Sequence, residues 1–157
     1  MFRIETETAL LNAFRPRDRK HVEVPQDFHF PRFVRDYVAW SDPYNTRTFV
    51  VFTDPNSGRP LGIVFRRDQQ PGGASTSHMC DWCHSTGSSM EIGLLTAEAS
   101  SKRRVGVNLC LDLRCSEKLE TAANLAGKNP RTLIRQMVER MEKFAHDGLG
   151  IDFVPAA

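Results

Sequence analysis

The chain has 157 residues, of which 40% are hydrophobic and 25% charged, with a formal net charge of +2. That length buries a core without staples, and that composition belongs to a globular protein rather than a disordered one. A charge so near zero makes no electrostatic case for nucleic acid or a membrane surface, and no run approaches the roughly 20 apolar residues a bilayer requires.

The chain opens with MFRIETETALL, which places acids where an export signal would carry a basic end and an apolar block. The expectation is a reducing cytoplasm, where structural disulfides are rare. From about Ile4 to Phe14 a short helix is predicted, with Leu10, Leu11 and Phe14 on one side. The basic run RPRDRKH reads as a solvated loop, and VPQDFHFPRF, rich in proline and aromatics, as irregular chain packed on the core. RDYVAWSDPYNTR ends in the turn pair Asp42-Pro43. There Asp42 is expected to bond nearby backbone N–H groups, Pro43 to fix φ, and Trp40 to fill the core.

The strand pattern is expected to begin after this turn. TRTFVVFTD and RPLGIVFRR are β-branched and aromatic runs joined by DPNSG, which predicts a hairpin. QQPGGASTS reads as a flexible polar connection. SMEIGLLTAE and RRVGVNLC form a second predicted strand pair around the polar link ASSKR. The segment NPRTLIRQMVERMEKFAHDG carries a cap at Asn129, a first-turn Pro130 and a stop at Gly148. Leu133, Met137, Met141 and Phe144, with Ile134 and Val138, make one apolar face of that helix, and Glu139 and Lys143 pair on the other. The fold class is therefore α+β, with strands in the middle and helices at the ends, expected as a single domain over residues 1–157.

The four cysteines form two pairs, Cys80 with Cys83 and Cys110 with Cys115, separated by residues 84–109. Two disulfides, a redox dithiol and one metal site all need weighing. The expected compartment disfavours disulfides, and a thioredoxin-like dithiol should open a helix in a βαβ unit, which this segment does not resemble. Four soft thiolates complete a tetrahedral zinc shell at about 2.3 Å. Cys80 and Cys83 are predicted to lie in a knuckle turn, Cys110 at a strand end and Cys115 at a helix start. Knuckle, hairpin and helix follow treble-clef order, over residues 78–120. His78 and His84 flank the knuckle as alternative ligands. A closed shell points to a structural ion rather than a catalytic one, which keeps a position open for water. Asp112 and Glu117 read as helix-start acids. No phosphate-loop spacing and no nucleophile motif is present, and no small-molecule substrate or membrane partner is expected.

Taken together, AWSDP, the pair FVVF and GRPLGIVFRR, MCDWCHS, VGVNLCLDLRC and the closing ERMEKFAHDG resemble the FBP-type treble-clef zinc-finger family. Its members are elongation-factor-G-binding proteins related to fusidic acid resistance factors of the FusB type. The resemblance runs from about Ala9 to Gly148. It implies a treble-clef zinc finger joined to a small antiparallel β-sheet, with a short N-terminal helix and a long C-terminal amphipathic helix. It also implies no enzymatic activity, one structural Zn2+ held by Cys80, Cys83, Cys110 and Cys115, and elongation factor G as partner. In the resistance factors such a domain helps release that factor from the ribosome. Those factors carry a helical bundle before the zinc domain, where only a short helix is expected here. For a partner surface, Trp82 between two ligands is a candidate exposed anchor. Arg66 and Arg67, with Lys102, Arg103 and Arg104 at a hairpin tip, are candidates for an acidic protein face or ribosomal RNA. Packing of Trp82 on the finger or a helix, and simple solubility of the cations, are the competing readings.

Overall fold

The computed structural model describes residues 2–54, 58–67 and 77–151, which fall into two compact units, one drawn from Met1–Arg66 and one spanning Arg67–Ile151. In the first, strand β1 (Phe2–Ile4) pairs antiparallel with β2 (Arg32–Val34). Between them lie two short helices, α1 (Glu7–Asn12) and α2 (Pro16–Arg19). The Thr6 hydroxyl starts α1 by accepting from the Ala9 N–H at 3.1 Å. Strands β3 (Tyr37–Ser41), β4 (Arg47–Thr53) and β5 (Pro60–Arg67) follow in antiparallel order. Burial alternates along β3 but is continuous from Thr48 to Phe52, so β4 reads as a strand covered on both faces.

An aromatic cluster closes this unit. Trp40 meets Phe49 at 5.4 Å and Phe28 at 5.1 Å between ring centroids, and Phe14 stands edge-on to Trp40 at 6.3 Å. Each edge-to-face pair contributes about 0.5–1.5 kcal/mol beyond burial. The Trp40 indole N–H donates to the Glu23 carbonyl at 2.7 Å, so the ring is buried with its polar atom satisfied. Phe14 lies over Gly62, where an added Cβ would come within 2.6 Å of the ring, and the Gly62 N–H donates to Ala13 O at 2.8 Å. A glycine in β5 thus lets the amino-terminal segment approach the sheet.

Three expectations for this unit are corrected. The predicted helix over Ile4–Phe14 is shorter, because Phe2–Ile4 pairs as a strand and Phe14 bridges to Gly62. RPRDRKH is not merely a loop: Pro16–Arg19 is helical, with Asp18 buried against Arg15 at 2.8 Å. Strands do not wait for Asp42, since β2 and β3 precede it. Pairing partners distant in sequence override the weak local signal of a three-residue strand.

In the second unit, β6 (Ser77–Met79) pairs antiparallel with β7 (Thr86–Ser88). The hairpin of β8 (Ile92–Ser100) and β9 (Arg103–Cys110) follows, with a bulge at Glu98/Ser100. Helix α3 (Cys115–Ala126) ends at Gly127 in the left-handed conformation, φ +66°. Helix α4 (Pro130–Lys143) begins at Asn129, whose side chain accepts from the Arg131 N–H at 3.0 Å. Ile134, Met137 and Met141 are buried, with Leu133 and Val138 at the margin. The α-helix stops at Lys143, and a π-helical turn (Phe144–Gly148) carries the chain to the expected glycine. The connection QQPGGASTS lies almost wholly outside the described residues. No helix among the described residues is long and apolar enough to cross a membrane.

Asp42 organises the turn between β3 and β4 as expected. Its carboxylate accepts from the Thr46 N–H at 2.7 Å and the Arg47 N–H at 3.1 Å, and from the Thr46 hydroxyl. Burial pushes its pKa up, but these hydrogen bonds and the Arg47 charge outweigh it and hold the carboxyl below its ordinary range. Asp42→Asn is expected to cost about 1.5–3 kcal/mol near neutral pH, read by denaturant titration. Because the folded pKa is lowered, that advantage is full above the unfolded carboxyl pKa and fades as pH falls through the folded value. The wild-type and variant curves should therefore converge in acid.

Candidate metal centre

The four cysteines reach one point from three local structures. Cys80 follows β6, and its N–H donates to Ser85 O at 2.8 Å while the His84 N–H returns to Cys80 O at 2.9 Å. His84 takes the left-handed conformation, φ +63°, which closes the turn holding Cys83. The Cys83 N–H points at the Cys80 Sγ at 3.5 Å. Cys110 is the last residue of β9 and Cys115 the first of α3, with Leu113 at φ +62° bending the short link between them.

All four thiols are buried, and their sulfurs lie within 4.8 Å of one another. Cys80 and Cys115 are separated by 3.8 Å, Cys83 and Cys110 by 3.5 Å. A disulfide requires about 2.05 Å, so no pair is bonded. Sulfurs about 2.3 Å from a tetrahedral zinc ion stand about 3.8 Å apart, so the residues fit that ion. Hydrogen bonding inside the cluster splits the thiols in opposite directions. Contact with Cys110 leads the Cys83 thiol far below its usual range and pushes Cys80 and Cys115 far above theirs, while contact with Cys115 brings Cys110 down to about 6. Four buried thiolates repel strongly, and a divalent cation is the species that lets them ionise together. His78 and His84 are not part of the cluster.

The knuckle is held on two sides. Asp81 docks it on β9: its N–H donates to Asn108 O at 2.8 Å, and its carboxylate accepts from the Asn108 N–H at 2.7 Å. Trp82 is only 4% exposed and stands edge-on to Phe144 at 6.4 Å, and the Arg140 guanidinium donates to the Trp82 carbonyl. Of the two readings of Trp82 the packed one holds and the exposed anchor does not, because the side chain is spent on packing the finger against the end of α4. Arg66, Arg67, Lys102, Arg103 and Arg104 are exposed. Arg104 lies 4.0 Å from Glu98, and Arg103 reaches Gly148 O at 3.5 Å. Asp112 is a local acid as expected, accepting from the Arg114 N–H at 3.1 Å and from Lys118 at 3.0 Å. One residue that sequence reasoning missed touches the sulfurs: Ser85, whose Oγ is 3.0 Å from Cys83 Sγ and 3.4 Å from Cys110 Sγ.

The sequence matches the FBP C-terminal treble-clef zinc-finger family over residues 5–147. The chain belongs to that family. Knuckle, β8–β9 hairpin and α3 supply the family's treble clef here, and family and geometry agree on one structural zinc ion as cofactor. No curated protein matches. Among solved structures, the fusidic acid resistance protein FusC aligns with 69% of this chain at 16% identity and a TM-score of 0.48. The chain spans about half of that protein's length, 48%.

Purified protein is expected to carry one equivalent of zinc by elemental analysis. Stripping it with a strong chelator should collapse the near-ultraviolet signal of Trp82, since the metal's binding energy is folding energy for this FBP-family finger. Full retention of that signal in metal-free protein would contradict a structural role.

Proposed function

We propose that this chain is a non-enzymatic, zinc-structured docking protein that binds elongation factor G and modulates its release from the ribosome. In this reading residues 1–157 form one FBP-like domain with the treble clef over 78–120, acting in the cytoplasm. Cys80, Cys83, Cys110 and Cys115 hold the zinc. The observation that carries the proposal is the family match along nearly the whole chain, together with four sulfurs gathered at zinc spacing. A closed four-sulfur shell offers no position for a metal-bound water, which favours scaffolding over hydrolysis. The ion ties the knuckle to a strand end and a helix start, and so presents a rigid surface from a segment of short elements.

Purified elongation factor G is expected to retain this protein in a pull-down at low or moderate salt, and to lose it once zinc is stripped. No retention in either condition would remove the proposal. Cys→Ser replacement at each of the four positions should lower zinc content well below one equivalent, and a position at which it does not is no ligand.

A second reading, an RNA- or ribosome-binding module, is favoured by the exposed cations Arg66, Arg67, Lys102, Arg103 and Arg104. Replacing Lys102, Arg103 and Arg104 together by Ser should then weaken RNA binding and flatten its salt dependence by about 0.7–0.9 in slope for each phosphate no longer neutralised. Binding that ignores the replacement would exclude this reading.

A further inference from the structure

Four thiolates around Zn2+ leave a net charge of −2 in a buried site, and each sulfur needs something positive facing it. Two sources are generic to the fold. The Cys83 N–H points at Cys80, and Cys115 opens a 12-residue helix whose N-terminal end favours negative charge. The other two sulfurs are served by one side chain that belongs to this sequence. The Ser85 hydroxyl lies 3.0 Å from Cys83 Sγ and 3.4 Å from Cys110 Sγ, so it spans the knuckle and the strand end. It is aimed there by the Cys80 N–H to Ser85 O bond and by the left-handed turn at His84.

We infer that Ser85 is a positioning residue of the zinc site, its hydroxyl bridging Cys83 and Cys110 to offset their thiolate charge and retain the metal. The inference rests on the ligand assignment proposed above. The hydroxyl has one proton to donate, so it serves the pair Cys83 and Cys110 as a shared donor.

The test is zinc affinity of the intact protein, measured by competition with a chromogenic chelator, beside far-ultraviolet dichroism of the loaded forms. Ser85→Ala is expected to lower affinity about 10–100-fold, while Ser85→Thr, which keeps the hydroxyl, stays within about threefold of wild type. Wild-type affinity in Ser85→Ala overturns the inference, as does equal loss in Ser85→Ala and Ser85→Thr. Should Ser85→Ala not fold, Ser85→Val, which has the shape of threonine without the hydroxyl, takes its place, and equal affinity in Ser85→Val and Ser85→Thr overturns the inference. Wild-type protein that binds no zinc is a different failure, since it refutes the ligand assignment itself.

Discussion

Four sulfur atoms confined to one buried pocket are the constraint from which the second unit follows. Their spacing is that of a tetrahedral zinc site and far from that of a disulfide. Every neighbouring element is arranged to bring them there. The left-handed residues His84 and Leu113 turn the chain at the two places where a ligand pair must face inward. The β8–β9 hairpin spans the interval between the pairs, and α3 begins at the fourth sulfur itself. A segment of three-residue strands and tight turns has little apolar surface of its own, so an ion supplies what a larger core would.

The protein also shows how a finger is joined to its helices without polar loose ends. Asp81 gives β9 a partner for the backbone of Asn108, so the knuckle behaves as a short extra strand at that point. Trp82 contributes a ring to Phe144 and a carbonyl to Arg140. Among the described residues no buried side-chain nitrogen or oxygen lacks a hydrogen-bond partner. The widening of the helix into a π turn at Phe144–Gly148 falls where Phe144 meets Trp82, in keeping with the tendency of such turns to mark places where a helix accommodates a neighbour.

Much of this was legible in the residues. The long β-branched runs gave β4, β5, β8 and β9, because period and length agree there. Asn129-Pro130 fixed the start of α4, and SDP fixed the turn at Asp42, since cap and turn chemistry act within a few residues. The cysteine pairs marked the metal centre, because thiolates at those intervals have few other uses in a reducing compartment. What escaped notice depends on partners far away in sequence. Strands β1 and β2 exist only as a pair, and the burial of Asp18 depends on a packed setting that RPRDRKH does not display. Trp82 lies between two cysteines, a position that leaves exposure and packing equally open until Phe144 and Arg140 are placed beside it. Ser85 carried only its proximity to Cys83, which does not separate a sulfur contact from an ordinary surface residue.

The hairpin between the two cysteine pairs has a consequence for the entropy of closing the site. Closing a loop of some 30 residues by the ion alone would carry the full chain entropy of bringing two remote segments together. The β8–β9 ribbon sets Cys110 opposite Ile92, so the gap left for the ion to bridge is the short stretch between the knuckle and that strand rather than the whole interval.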